Sequence, residues 1–286
     1  MTNLSRPRVL VFDSGVGGLS VAACIRKRLP DVEFVYLADN AGFPYGGQQS
    51  SVVIDRCCSL ISKALEQIPC DVIVVACNTA STVVLPHLRA LTTIPVVGVV
   101  PAVKPAAGLT VNRRIGILAT PATACGQYLD NLVQKFASDC DVMRIGHPDL
   151  VRWVENSVAG TAIPQEALAQ AVAGFREAGV DTVVLGCTHY PLLLGSLKQA
   201  LPEVQFWVDS GDAIARRVED VLGQSGKKFL AANPDTCQRE PVVAALFSGL
   251  APAGLAGFMG ELGLRPYQIT GHWSGNPEAA TEAGSA

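Results

Sequence analysis

Three residues with reactive side chains follow one another at positions 187–189: a thiol, a hydroxyl and an imidazole. A largely apolar run at residues 181–185 predicts a buried strand before them, and residues 192–201 predict a helix after them. Ligands of open α/β folds bind at the carboxyl ends of parallel strands, and a helix N-terminus there favours negative charge. Because a nearby His also lowers the pKa of a thiol, Cys187 is predicted to act as a thiolate base or nucleophile. The alternative is a small buried cysteine of the core.

A second copy of this pattern favours the chemical interpretation. Residues 71–79 repeat the layout of residues 181–189, with Cys77 in the place of Cys187 and a polar pair after each cysteine. The separation is 110 positions, and similar matches occur elsewhere: Asp31 with Asp141, Ile94 with Val204, and residues 9–14 with residues 115–120 at a slightly smaller separation.

The repeat predicts an α/β fold of two similar domains with mostly parallel sheets, related by an approximate two-fold axis. Identities between the halves are few, so the repeat rests on layout. Each half would present one cysteine at the end of a strand, and the two halves would face each other across a cleft. Two thiols on opposite sides of a bound small molecule suit the inversion of a stereocentre.

Composition agrees with this fold class. The 286 residues, 30.0 kDa, are long enough for two domains, and the low aromatic content of 6% against 49% hydrophobic residues indicates cores of aliphatic side chains, as buried parallel strands require. Prolines place the domain crossing near residues 101–112. Strands are predicted at residues 9–12, 33–37, 96–100, 115–119, 141–145, 182–186 and 204–208, and a further strand is predicted directly before Cys77.

Charge and hydropathy argue against several classes of partner. The formal net charge is -3, and Lys and Arg form no long run, so no nucleic acid or acidic lipid partner is expected. No apolar stretch reaches the roughly 18 residues of a membrane span, and no signal peptide is visible before the first strand. Nine cysteines without a C-x-x-C pair argue against a disulfide scaffold or structural zinc. We therefore expect a soluble, cytoplasmic protein.

Two loops stand out as binding segments. The glycine-rich turn at residues 13–18 does not match a dinucleotide fingerprint, so we expect it to hold a carboxylate or ammonium group of a small substrate beside an ionised Asp13. The alternative is Asp13 as a mere helix cap. Residues 38–47 are rich in Gly and Pro and predict a binding loop. Residues 148–155 look helical, and Glu155 by itself would be a solvated surface charge.

Four motifs, taken together, resemble the glutamate racemases of the aspartate and glutamate racemase family. They are Asp-Ser-Gly-Val-Gly-Gly at residues 13–18, Pro-Tyr-Gly at 44–46, Cys-Asn-Thr-Ala at 77–80 and Gly-Cys-Thr-His-Tyr-Pro at 186–191. The match runs in order from about residue 9 to 215. Cofactor-independent aspartate racemases are similar in having two cysteines, but the flanking residues resemble the glutamate enzymes.

The resemblance implies a two-base racemisation of glutamate that needs no cofactor and supplies D-glutamate for peptidoglycan. It also implies that the chain returns to its first domain, which gives a first domain of residues 1–104 plus 212–265 and a second of residues 105–211. Residues 274–286 are predicted to be a disordered tail. No metal is expected, and a homodimer is left open.

The resemblance further implies roles for individual residues. Cys77 would deprotonate D-glutamate with the help of Asp13, and Cys187 would deprotonate L-glutamate with the help of His189 and Glu155. Substrate contacts would come from Asp13, Ser14, Tyr45, Gly46, Asn78, Thr79, Thr188 and His189, with Thr120 and Thr123 as further candidates. Since only eight residues precede the first strand, control by a cell-wall precursor is not expected.

Four rival functions stay open at this point. The first is a racemase of a related amino acid such as aspartate. The second is a hydrolase or acyl transferase with a cysteine nucleophile and His189 as its base. The third is a metal site of Cys77, Cys187 and His189. The fourth is a two-lobed binding protein without catalysis.

Overall fold

The computed structural model describes residues 6–224 and 240–275. The predicted disordered tail therefore lies outside the described residues from residue 276 onward. Within the described residues every strand pairing is parallel, and the strands form two separate sheets. The predicted α/β class with mostly parallel sheets is confirmed.

The first sheet has six strands that are buried on both faces at its centre. Its strands are β1 (Arg8–Asp13), β2 (Glu33–Ala38), β3 (Val72–Val75), β4 (Val96–Gly98), β9 (Val242–Phe247) and β10 (Ile269–Thr270), in the order β10-β9-β2-β1-β3-β4. Runs of Val, Leu and Ile suit strands covered by helices on both sides. Alternate residues of β1 belong to two different hydrophobic clusters. The helices associated with this sheet are α1 (Gly18–Arg28), α2 (Ser50–Gln67), α3 (Asn78–Leu91), α10 (Gly211–Gln224) and α11 (Leu255–Glu261).

The second sheet has four strands. In the sequence, these strands lie between β4 and β9 of the first sheet. Its strands are β5 (Arg114–Ala119), β6 (Asp141–Gly146), β7 (Thr182–Leu185) and β8 (Phe206–Val208), in the order β6-β5-β7-β8. Its helices are α4 (Val103–Leu109), α5 (Pro121–Ala124), α6 (Gln127–Phe136), α7 (Leu150–Val158), α8 (Gln165–Glu177) and α9 (Leu194–Ala200). One hydrophobic cluster contains residues of both sheets, so the two domains share buried apolar surface.

The internal repeat is present in the strand order. The order β2-β1-β3-β4 has its counterpart in β6-β5-β7-β8, and β7 lies 110 positions after β3 at both ends. The match of Asp31 with Asp141 was wrong by two positions. Arg8 pairs with Glu33 and Arg114 pairs with Asp141, so the strand register makes Glu33 the counterpart of Asp141.

Local structure after the two cysteines differs from the prediction. A short 3-10 turn, Tyr190–Leu193, separates Cys187 from α9, so the predicted helix of residues 192–201 begins later. Cys77, in contrast, is the N-cap residue of α3. The predicted binding loop contains two further 3-10 turns, Asn40–Gly42 and Tyr45–Gly47.

The domain boundaries stay a prediction. The chain does rejoin the first sheet through β9, and β10 lies beyond residue 265. None of the helices in the described part of the chain is both long and apolar enough to cross a membrane.

Candidate active site

The two cysteines line the same pocket between the sheets, which has a volume of about 280 Å³. Cys77 follows β3 and Cys187 follows β7, and both are nearly buried, with 6% and 8% of their surface exposed. The backbone before each cysteine is held in the same way, since Ala76 donates to Phe12 and Gly186 donates to Leu118, each at 2.7 Å. The other predicted residues on the pocket wall are Ser14, Tyr45, Gly46, Asn78, Thr79, Thr120, Thr123, Thr188 and His189.

Cys77 is supported by the start of a helix and by a hydroxyl. Its sulfur accepts a hydrogen bond from the backbone N–H of Ala80 at 3.5 Å and lies 3.8 Å from Ser14 Oγ. Burial, followed by the negative charge of Asp13, raises the pKa of the Cys77 thiol to about 12, against the opposing effect of these hydrogen bonds. Cys77 is therefore protonated at neutral pH, which suits a proton donor.

Cys187 is supported by an imidazole and a carboxylate instead. Its sulfur lies 3.6 Å from His189 Nδ1, and His189 Nε2 lies 2.7 Å from Glu155 Oε1. Burial acts to lower the pKa of His189, but its hydrogen bonds with Cys187 and Glu155 outweigh burial and raise this pKa well above the ordinary value. The protonated form of the imidazole is therefore favoured beside the Cys187 sulfur, where the two groups can exchange a proton.

Glu155 lies in the interface between the domains rather than on a solvated surface. Its Oε1 accepts the backbone N–H of Val16 at 2.8 Å, so the glycine-rich turn of the first domain binds a carboxylate of the second. The backbone N–H of Val16 is thus engaged with Glu155, and binding of a substrate group by the rest of the turn stays a prediction. A Cβ on Gly15 would lie 1.9 Å from Glu155 Oε1, and one on Gly17 would lie 2.4 Å from His189 Nδ1. Only glycine permits this close approach.

Asp13 joins the two domains through a second polar contact. Its Oδ1 accepts the backbone N–H of Gly15 at 3.0 Å, and its Oδ2 accepts the hydroxyl of Thr188 at 3.0 Å. Burial raises the pKa of Asp13 to about 6, although the positive charge of His189 acts in the opposite direction. The alternative role of Asp13 as a helix cap is wrong, because Gly17 is the N-cap residue of α1.

The other residues predicted to contact the substrate differ in whether their polar groups already have hydrogen-bond partners among the described residues. The side-chain oxygen of Asn78 is buried and has no hydrogen-bond partner in the described part of the chain, so it is available to a substrate. The hydroxyl of Thr120 donates a hydrogen bond to the hydroxyl oxygen of Thr123, and the two oxygens are 3.0 Å apart. The hydroxyl of Tyr45 donates to Asp39 at 2.6 Å, which leaves the ring and backbone of Tyr45 to face the pocket.

Asp39 is a supporting residue that sequence reasoning missed. Its buried carboxylate accepts hydrogen bonds from Arg56 Nε and Nη2 and from Ser248 Oγ, each at 2.6 Å, besides the one from Tyr45. Burial acts to raise the pKa of Asp39, and these hydrogen bonds outweigh it and lower the pKa. The network anchors the loop that forms one wall of the pocket. Arg56 and Ser248 lie 17 and 209 positions from Asp39 and form no recognised motif with it, so nothing in the sequence signalled the network.

Eight further residues on the pocket wall were not predicted as site residues: Phe43, Pro44, Gly47, Pro121, Pro148, Val151, Arg152 and Gly186. Within residues 6–224 and 240–275, no group of three or more His, Cys, Asp or Glu side chains is arranged to hold a metal ion.

Comparisons with known proteins agree on one family. The sequence model of the family described as Asp/Glu/Hydantoin racemase matches residues 20–218. A glutamate racemase of Shewanella loihica is 48% identical over 217 residues, which are 76% of this chain and 82% of the relative. One of Actinobacillus pleuropneumoniae serotype 7 is 42% identical over 231 residues, 80% of this chain and 86% of the relative.

Solved structures give the same result. Escherichia coli glutamate racemase, crystallised with L-glutamate and the activator UDP-MurNAc-Ala, has a TM-score of 0.83 and 39% identity, covering 93% of this chain and 99% of that one. Glutamate racemase of Aquifex pyrophilus has a TM-score of 0.66 and 32% identity, covering 92% and 97%. With matching cysteine turns on two like sheets and this agreement among its relatives, the chain belongs to the Asp/Glu/Hydantoin racemase family.

Proposed function

We propose that this chain interconverts L- and D-glutamate without a cofactor, with Cys77 and Cys187 acting as two bases on opposite faces of the α-carbon. The observation that carries the proposal is that two strand-end cysteines, one from each half of the repeat, line one small pocket. The glutamate racemases among its relatives support glutamate as the substrate.

The reaction moves one proton off the α-carbon and another onto its opposite face. From L-glutamate, Cys187 as a thiolate takes the α-proton, and Cys77 as a thiol delivers its own proton to the other face. The product is D-glutamate, Cys187 is now protonated and Cys77 is a thiolate. The reverse reaction uses the same two sulfurs in exchanged roles, so protons balance over each turnover.

The supporting groups supply what each step needs. An amino acid α-proton is a very weak acid, so a reaction without a cofactor must stabilise the developing negative charge electrostatically. Asn78, Thr79 and Thr188 offer polar groups at the two strand ends for the α-carboxylate. His189 exchanges a proton with Cys187, Glu155 orients His189, and the charge of Asp13 acts on Cys77.

The biological setting is part of the same proposal. D-glutamate is a building block of bacterial peptidoglycan, and we assign the chain to that supply in the cytoplasm. The eight cysteines that the structure describes are all free, which supports a reducing compartment. The domain boundaries at residues 104/105 and 211/212 belong to the proposal, and a homodimer stays open.

Circular dichroism of the purified protein with L-glutamate tests the function directly. We expect the signal to decay to zero without added cofactor, and the signal from D-glutamate to decay to the same end point. Decay with aspartate but not with glutamate would assign the chain to a different racemase. A stable adduct on Cys187 together with an active Cys77→Ala variant would support a nucleophilic hydrolase instead.

A further inference from the structure

The rim of the pocket carries an arginine, Arg152, that has no ion-pair or hydrogen-bond partner among the described residues. Arg152 lies on α7, one turn before Glu155, and is exposed to solvent while lining the pocket. In the part of the chain that the structure describes, no carboxylate forms an ion pair with it and no acceptor forms a hydrogen bond with it. Arg144 and Arg176 of the same domain, in contrast, are paired with carboxylates. The Arg152 charge is therefore free to act on a ligand.

The remainder of the pocket wall is poor in charge. The described residues that line it are apolar, hydroxyl, thiol, amide and glycine residues, apart from His189 and Arg152. The two acidic residues of the site, Asp13 and Glu155, lie behind this wall and are engaged with Thr188 and His189. Arg152 is thus the one permanently charged side chain facing the pocket among the described residues, and its charge is opposite to that of a dicarboxylic amino acid.

We propose that Arg152 is a specificity-determining residue at the mouth of the cleft. Its positive charge attracts the substrate, whose net charge is negative. The inference rests on the proposed function and adds to it a reason for preferring an anionic over a neutral amino acid. Because Arg152 is exposed, its interaction is screened by water and salt and acts equally on ground state and transition state. Its loss should therefore raise KM and leave kcat almost unchanged.

The test is steady-state kinetics with L-glutamate at several salt concentrations, for the unaltered chain and for Arg152→Gln, Arg152→Lys and Arg152→Glu. We expect Arg152→Gln to raise KM about three- to tenfold at low salt with kcat within about twofold. Arg152→Lys keeps the charge and should stay close to the unaltered chain, and Arg152→Glu should be worse than Arg152→Gln. The difference between Arg152→Gln and the unaltered chain should shrink between about 10 mM and about 300 mM salt, because the Debye length falls over this range.

A matched control removes the same charge at a position outside the pocket lining. Arg265 is exposed and does not line the pocket, so Arg265→Gln should leave KM and its salt dependence unchanged. L-glutamine, a neutral analogue of similar shape, gives a second readout, since the preference for glutamate over glutamine as a competing ligand should fall in Arg152→Gln.

The outcomes separate the two proposals. If the unaltered chain racemises glutamate and Arg152→Gln behaves as Arg265→Gln does, the role of Arg152 is overturned while the proposed function stands. A fall in kcat at constant KM would also overturn capture, because it would place Arg152 in the chemical step. If the unaltered chain does not racemise glutamate, both proposals fail.

Discussion

The turn after β3 and the turn after β7 place a cysteine in the same way, but different groups contact the two sulfurs. Both place a cysteine at the end of a buried strand, and both hold the preceding backbone against the neighbouring central strand. Cys77 then begins a helix of 14 residues and is contacted by a backbone N–H and a hydroxyl. Cys187 is followed by a 3-10 turn and is contacted by an imidazole that a carboxylate orients.

This difference separates what the two halves of the repeat share, the position of the cysteine, from what differs between them, the groups that contact its sulfur. The strands bring two sulfurs to one pocket, while a different set of groups contacts each sulfur. Burial and the negative charge of Asp13 raise the pKa of Cys77, whereas Cys187 lies beside the imidazole of His189. Since the two enantiomers have equal free energies in solution, kcat/KM for them must fall equally in any variant. A variant can therefore affect L-glutamate and D-glutamate differently only in kcat or in KM, each considered separately.

The largest expected effect comes from removing either sulfur. Cys77→Ala and Cys187→Ala should each lower kcat/KM by at least about 100- to 10,000-fold, because each reaction direction needs both a base and an acid. The measurement is circular dichroism with both enantiomers. Cys125→Ala, at an exposed cysteine outside the pocket, is the control and should keep full activity. An active Cys77→Ala variant would show that the reaction does not need both sulfurs.

Removal of the Cys187 support comes next in size. His189→Asn should lower kcat/KM about 100-fold and Glu155→Gln about tenfold, since His189 contacts the sulfur and Glu155 acts through His189. We expect kcat to fall more for L-glutamate than for D-glutamate, because Cys187 is the base for the L enantiomer. The exposed His87 supplies the control variant, His87→Asn. Equal loss of kcat in both directions would argue against a separate support for each sulfur.

Asp13 gives the site a predicted pH dependence. Its pKa is raised by burial to about 6, so the folded chain binds its proton below about pH 6 and loses the carboxylate that acts on Cys77 and accepts from Thr188. The pH profile of kcat/KM should therefore decline below about pH 6, and Asp13→Asn should be about tenfold less active and lack this limb. A raised carboxyl pKa also means that the folded state becomes less stable as pH rises from 3.8 to about 6, and Asp13→Asn should remove that change. An unchanged acidic limb in Asp13→Asn would assign it to another group.

The last expected effect, no larger than that of Asp13→Asn, tests the close contact between the glycine-rich turn and the Cys187 side. A Cβ at Gly17 would lie 2.4 Å from His189 Nδ1 and 2.6 Å from Thr188 Oγ1, so Gly17→Ala must displace His189 and should lower kcat about tenfold. Gly195 has no atom near the corresponding position, and Gly195→Ala is the matched control. Equal activity of the two variants would show that the contact of His189 with this turn does not matter for turnover.

The sequence was sufficient to predict the strands β1 to β8, the repeat and the residues that follow β3 and β7, but β9 and β10 of the first sheet were not predicted. Parallel strands are continuous apolar runs, and reactive residues directly after them are visible without a structure. The contacts that join the halves were not visible. Val16 reaches Glu155 across 139 positions and Thr188 reaches Asp13 across 175, so no local pattern records either pair. The same reason applies to Arg152, whose place on the pocket rim depends on how α7 packs.

The most direct test of the two-sulfur account is the reaction of L-glutamate in deuterated water, followed from its first turnovers. If Cys77 supplies the proton to the face opposite Cys187, the D-glutamate formed carries deuterium at its α-carbon while the remaining L-glutamate stays unlabelled. Early appearance of deuterium in both enantiomers at the same rate would mean that a single base serves both faces, and would contradict the account.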